Sequence, residues 1–366
     1  MNIAFIGCGG FAGGTHIPNA AKNPNFKLSA FCDLDESRLN TLAELYNPGY
    51  VTTDMSRIFD DDDVEMVVCS TKPDFRMPIM EQAVKHGKHL FVEKPLCYKT
   101  DEVEPMVKLM GSAPVKFMVG FNRPYSPMMQ DLKRIYKKSK KGSATIIYRI
   151  IGEAALWPKH HFDAIIHDKE STIIHEITHI FDLLNWVTDL RPHTVYTAGE
   201  GNMDNIITLQ YPDNVTAVII AGDNSCAGYP KERIEINSNY ETIIGENFTE
   251  LSHYTAEGEM FRKTYDYSMG GQPHNDEFRQ TVINGSAWRA SITSEQKAVG
   301  YYYDRMPKVN KGHYEELEFF RQAIENGIPV ETDVLSGALA SLIAWQAIDA
   351  WKQGLPIKMD FSHLTA

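Results

Sequence analysis

An apolar run, Ile3 to Ile6, breaks into Gly7-Cys8-Gly9-Gly10-Phe11-Ala12-Gly13-Gly14 and is followed by a helix-like segment through Ile17 to Ala21. Four consecutive apolar residues fit a strand buried on both faces. Gly7, Gly9 and Ala12 satisfy the pattern G-x-G-x-x-G/A, in which glycines permit a tight turn and let backbone N–H groups approach a pyrophosphate at a helix N-terminus. A second strand, Lys27 to Cys32, ends at Asp33. An acid there accepts the ribose hydroxyls of an adenosine and repels the 2′-phosphate of NADP, so NAD is the expected cofactor.

The alternation continues. Asp35 to Tyr46 reads as a helix, Met66 to Ser70 as a strand running into Thr71-Lys72-Pro73, and Met77 to His86 as an amphipathic helix closed by Gly87. Lys88 to Val92 is the next strand, and it stops abruptly at Glu93-Lys94-Pro95. Ligands of open parallel sheets bind just beyond the carboxyl ends of the strands, so Lys94 points at whatever this sheet holds. A helix over Asp101 to Met110 and a strand over Val115 to Val119 lead into Gly120-Phe121-Asn122-Arg123. The fold expected is an N-terminal doubly wound parallel sheet over 1–123, with a second α/β domain over 124–366. Phe11, Thr71, Glu93, Lys94 and Asn122 join Gly7, Gly9, Ala12 and Asp33 as the residues expected to meet the cofactor.

Composition narrows the partners. A chain of 366 residues exceeds the ~250–300 at which single cores stop growing, so two domains are expected. With 43% hydrophobic and 23% charged residues it has the make-up of a soluble globular protein, and a net charge of −12 argues against nucleic acid or anionic membrane surfaces. Cys8, Cys32, Cys69, Cys97 and Cys226 form no C-x-x-C pair, as reduced thiols in a cytoplasmic protein would not. No signal peptide or membrane span is expected, and the aspartates at 60–63 read as a solvated loop.

The second half holds an ambiguous motif. Ile173 to Leu184 has helical periodicity, with His175, His179 and Asp182 at i, i+4 and i+7 on one face. By pattern alone His175-Glu176-Ile177-Thr178-His179 matches H-E-x-x-H, the zinc motif of metalloproteases. No convincing third ligand follows, and the chain is already committed to a dinucleotide, so no metal is expected. Upstream, Trp157-Pro158-Lys159-His160-His161-Phe162-Asp163 joins aromatic and polar groups as sugar sites do, which makes Trp157, His160 and His161 substrate candidates. Asn205 to Tyr211, Thr216 to Ala221 and Arg233 to Ile236 alternate as strands with one wet face, and 255–312 reads as an irregular excursion. Tyr314 to Asn326 and Leu335 to Gln353 are amphipathic helices.

The glycine fingerprint, Asp33, Gly87-Lys88-His89 leading into Glu93-Lys94-Pro95, and Gly120-Phe121-Asn122-Arg123 together resemble the Gfo/Idh/MocA family of oxidoreductases over nearly the whole chain. That resemblance implies a Rossmann domain, a second domain with a large, mostly antiparallel sheet, a nicotinamide cofactor, a sugar or cyclitol substrate, and a homo-oligomer joined through the open sheet face. It implies that Lys94 lies beside the reacting hydroxyl and that His179 is the catalytic histidine. His175 stands where many members have aspartate, and Glu176 fits a branch similar to sugar 3-dehydrogenases. Lys169-Glu170-Ser171 replaces a glycine run usual in the family.

Hydride removal from a secondary alcohol requires the hydroxyl proton to leave almost together with it, so a base must stand within ~2.6–3.2 Å of that oxygen. His179 is suited to that near neutrality, since an unperturbed imidazole titrates at ~6.5. Lys94 would polarise the oxygen or itself serve as base. Arg123, His175 and Glu176 complete the substrate candidates. Three other readings stay open: an NAD-assisted glycosidase working by transient oxidation and elimination, a metal-dependent hydrolase on His175 and His179, and a non-catalytic NAD-binding sensor.

Overall fold

The computed structural model describes residues 1–152, 172–201, 204–225, 229–265 and 309–364. Its first half alternates strand and helix: β1 (Asn2–Ile6), α1 (Ile17–Lys22), β2 (Lys27–Cys32), α2 (Glu36–Tyr46), β3 (Tyr50–Thr52), α3 (Ser56–Phe59), β4 (Met66–Cys69), α4 (Arg76–Lys85), β5 (His89–Val92), α5 (Val103–Gly111) and β6 (Phe117–Val119). The six strands are parallel in the order β3-β2-β1-β4-β5-β6, the doubly wound arrangement whose chain reversal opens a ligand crevice between β1 and β4. The central strands β1, β4 and β5 are almost wholly apolar and buried because both faces are covered. Ile3 and Phe5 of β1 join one core with Ile17 and Phe91, while Ala4 and Ile6 join the other with Val67 and Val92.

Helix α6 (Pro127–Ser139) then leads into β7 (Ala144–Ile151) and a nine-stranded sheet. Ser126 caps α6, its hydroxyl accepting from the Met129 N–H, and Pro127 occupies the first helical position. After α7 (Thr178–Thr188) come β8 (Thr194–Gly199), β9 (Asn205–Tyr211), β10 (Val215–Gly222), β11 (Glu232–Ser238), β12 (Glu241–Glu246), β13 (Glu250–Tyr254) and β14 (Met260–Thr264). Helices α8 (His313–Asn326) and α9 (Val334–Gln353) and the short β15 (Ile357–Lys358) follow. The order is β14-β13-β12-β11-β7-β10-β9-β8-β15, antiparallel except for β7 beside β10. Inward side chains alternate with outward ones along β7, β9, β10 and β11, so one face packs and the other does not.

Two helices tie the sheets together. α8 returns to the first domain, where Leu317 and Phe320 pack with Ile3, Phe5 and Phe91. α9 lies against β8 and α7 on one side and α5 and β6 on the other. A Cβ on Gly337 would come within 2.8 Å of the Val119 side chain, so glycine sets how closely α9 approaches β6. By length and composition α9 could span a bilayer, but 61% of that stretch is buried inside the protein.

The structure departs from the sequence reading in the second half. Part of the expected irregular excursion, 255–265, is the β13–β14 hairpin, whose strands pair from Tyr254↔Met260 to Glu250↔Thr264. The substrate candidates Trp157, His160 and His161 and the segment Lys169-Glu170-Ser171 lie outside the described residues, as does Cys226. The other four cysteines are buried free thiols.

Candidate active site

The crevice begins at the glycine loop. Gly7 has φ 82°, and a Cβ there would come within 3.0 Å of Ser70 and Thr71, so only glycine lets the turn lie against the end of β4. A Cβ on Gly9 would meet nothing within 4 Å, so the loop is open on that side. The Gly13 N–H donates to the Gly9 carbonyl at 2.8 Å, starting the wide turn Ala12–His16 that continues into α1. Asp33 stands at the end of β2, as a dinucleotide site requires. Its Oδ2 accepts from the Cys8 N–H at 2.8 Å, and its Oδ1 accepts from Arg38 at 2.9 Å. Arg38 is absent from the sequence reading. It lies in the first turns of α2, and it makes Asp33 half of an ion pair rather than a lone carboxylate.

Deeper in the crevice the residues at the strand ends interlock. Glu93 Oε1 is 2.6 Å from His16 Nε2, and neither residue is more than 8% exposed. Gly120 permits this, because a Cβ there would come within 2.8 Å of that same Glu93 oxygen. Phe11 meets His16 edge-on and His313 at a tilt of 54°, and its ring is partly exposed on the loop. Thr71 hydroxyl contacts Cys69 Sγ at 3.3 Å. The Asn122 side-chain amide donates to the Lys311 carbonyl at 2.8 Å, so it anchors a segment of the second domain at the mouth of the first.

Lys94 reaches across the interface. Its Nζ donates to the His175 carbonyl at 2.9 Å, on the wide helical turn Ile173–Ile177 that precedes α7. His179 lies one turn on, 6% exposed, against the ring of Phe121 at 5.7 Å, and its Nδ1 has no hydrogen-bond partner among the described residues. Burial, then the charges of Arg123 and Lys94, push this imidazole well below the usual histidine range. The sequence expectation of titration near neutrality is corrected accordingly. His175 rests edge-on against Tyr98, so the two histidines of the H-E-x-x-H motif face different aromatic rings. Among the described residues no three His, Cys, Asp or Glu side chains converge as a metal ion would need.

Beneath them lies a buried ion cluster that the sequence reading met only in part. Arg123 Nε and an Nη donate to Glu232 at 2.8 and 3.0 Å, and the guanidinium also pairs with Glu176 at 3.3 Å. Glu232 accepts from the Tyr148 hydroxyl at 2.6 Å and from Lys311 at 2.5 Å, and Glu176 accepts from Lys231 at 3.0 Å. Burial opposes the charge on both carboxylates, but Lys231, Arg123, Lys94 and Lys311 around Glu176, and Arg123 and Lys311 around Glu232, outweigh it and hold both well below the usual range. Lys231, Glu232 and Lys311 are isolated in sequence and belong to no motif. Glu232 heads β11 beside β7 with Lys231 just before it, and Lys311 comes from the segment before α8. Arg123 and Glu176, read as substrate residues, are here partners within the cluster. Asp182 closes the far side, 4% exposed and hydrogen-bonded to the Ser336 hydroxyl at the start of α9.

Residues 1–121 match the family model GFO_IDH_MocA, an oxidoreductase family with an NAD-binding Rossmann fold. Myo-inositol 2-dehydrogenase of Thermotoga maritima is 21% identical over 373 residues, covering 98% of this chain and 99% of that protein. Among solved structures, scyllo-inositol dehydrogenase of Lactobacillus casei with NAD(H) and scyllo-inositol superposes with a TM-score of 0.73 at 17% identity over 98% of each chain. An oxidoreductase of Agrobacterium radiobacter in complex with NAD+, L-tartaric acid and magnesium gives 0.77 at 14% identity, again over 98% of each. The two structural matches carry the fold across both domains, the glycine loop and the acid at Asp33 fit the dinucleotide, and residues 1–121 are the NAD-binding Rossmann domain of the Gfo/Idh/MocA oxidoreductase type.

Proposed function

We propose that this chain is an NAD-dependent dehydrogenase oxidising a secondary alcohol of a sugar, glycoside or cyclitol, with the 3-hydroxyl of a glycoside as its finer reading. One observation carries it. The lysine that ends β5 places its Nζ 2.9 Å from the His175 carbonyl, on the helix that holds His179, so a cation from the cofactor domain and an imidazole from the substrate domain meet at one crevice. Bound NAD supplies the hydride acceptor.

Each residue's part follows from its surroundings. His179 is held neutral by burial, so its ring is ready to take the hydroxyl proton. The Lys94 ammonium stabilises the negative charge that develops on the oxygen. Burial, Arg123 and Lys94 disfavour a lasting imidazolium, so the proton has to leave the ring again before the next turnover. Glu93 and His16 hold the strand ends, and the Arg123–Glu232 pair holds the floor. We also infer association of like chains through the outer face of the nine-stranded sheet, where Ile147, Ile206 and Tyr196 are 37%, 51% and 37% exposed.

The test is NADH formation on a panel of inositols, free sugars, O- and C-glycosides and nucleotide sugars. Turnover is expected with one class, and Lys94→Ala and His179→Ala should each lower kcat by about 10²–10⁴-fold while NADH fluorescence shows the cofactor still bound. Full activity in both variants would contradict the assignment. So would loss of NADH binding in His179→Ala.

A further inference from the structure

We propose that the substrate carries an anionic group, a carboxylate or a phosphate, besides the hydroxyl that reacts, and that Lys231 and Lys311 receive it. The proposal rests on the dehydrogenase reading above and deepens it. Among the described residues the crevice gathers four cations, Lys94, Arg123, Lys231 and Lys311, around two carboxylates, Glu176 and Glu232. The floor is closed and self-neutralising: the side chains of Arg123 and Glu232 are 4% and 2% exposed and doubly bonded to each other. The rim is open. Lys231, Glu176 and Lys311 keep 36%, 29% and 23% of their side-chain surface accessible.

Glu176 matches one rim lysine, and Lys94 is assigned to the reacting oxygen. Glu232 is shared between Arg123 and Lys311, so in the charge count one positive charge remains over at Lys311. A neutral polyol settling on this rim would strip water from that ammonium and return only hydroxyl hydrogen bonds, whereas an oxyanion replaces the lost hydration with a stronger, charge-assisted bond. The chain as a whole is strongly acidic, at −12, so a local positive focus at this rim also helps draw an anion in against the global field.

The experiment compares matched neutral, carboxylate and phosphate members of the gluco, galacto and manno series (glucose, glucuronate and glucose 6-phosphate in the first) with the NAD-loaded protein. Turnover is read as NADH, and binding to the NADH complex is read by calorimetry. An anionic member should exceed its neutral sibling by about 10- to 100-fold in kcat/KM, the worth of a charge-assisted hydrogen bond, and the advantage should shrink as salt rises. Whichever anion wins names the source. Lys231→Gln removes a rim cation and should narrow the ratio about tenfold, while Glu176→Gln removes a carboxylate at equal size and should widen it. A merely structural role would move both variants the same way. Parity between neutral and anionic members, or equal shifts in the two variants, overturns the proposal while leaving the dehydrogenase reading intact. Anion binding with the opposite variant responses but no NADH from any series would do the reverse.

Discussion

Asp182 shows what burial does to a single group. Its carboxyl is 4% exposed, one oxygen bonded to Ser336 and the other without a partner among the described residues. Burial raises its pKa to about 7, against the opposing bond from Ser336. A carboxyl raised in the folded state remains protonated there after the unfolded chain has lost its proton near pH 4. Its stabilising effect is therefore complete below that pH and is lost as pH climbs to about 7. Asp182→Asn should melt above the parent at pH 8 and lose the parent's decline between pH 5 and 7. Each tenfold change in proton affinity is about 1.4 kcal/mol, so the difference should reach a few kcal/mol. A parallel pH trend in both proteins would refute it. The spacing of His179 and Asp182 on one helical face is visible in sequence. Their burial is not, and burial is what moves one group up and the other down.

At the scale of elements, the loops after β4 and β5 are locked by the first residue of α4. Arg76, 1% exposed, donates to the carbonyls of Pro95 and Leu96 in one loop and Thr71 in the other. Lys94 hangs from this lock. Arg76→Ala leaves three carbonyls short of a donor and should cost about 2–4 kcal/mol by denaturant unfolding, with a fall in kcat beyond any change in NADH affinity. Unchanged stability would show the lock to be idle. Strands such as β1, β4 and β5 are legible because a parallel sheet covered on both faces demands unbroken apolar runs. β12 and β13 are not, since Glu241, Glu246 and Glu250 interrupt any alternation. Arg76 was equally hidden, a charged residue in a helix start with nothing local to mark it as buried. Lys231, Glu232 and Lys311 show the same limit, because a cluster assembled from β11 and a distant loop leaves no spacing to read.

Across the whole molecule, the nine-stranded sheet leaves one face outward. The paired row Tyr196, Thr208, Val218 and Ile147 crosses four strands there, ending beside Glu235. Apolar side chains bordered by charge suit a partner of the same surface. Sedimentation should find an oligomer, and Ile147→Asp should shift it toward monomer without lowering the melting temperature of the subunit by more than a few degrees. A monomeric parent at micromolar concentration would refute the association. The link between the two sheets has a different consequence. Arg123, just past the last Rossmann strand, is clamped to Glu232 at the head of β11, with Tyr148 and Lys311 closing the same carboxylate. Arg123, Glu232 and Tyr148 satisfy one another, so replacing any of these three strands a buried charge or hydroxyl, while Lys311 adds its bond from the rim. Lys231 and Glu176, bonded at the rim and partly open to water, are held less tightly, Glu176 meeting Arg123 only at 3.3 Å. A lineage of this chain adapting to a new substrate thus has little room to vary its foundation, and novelty would enter from the edge inward.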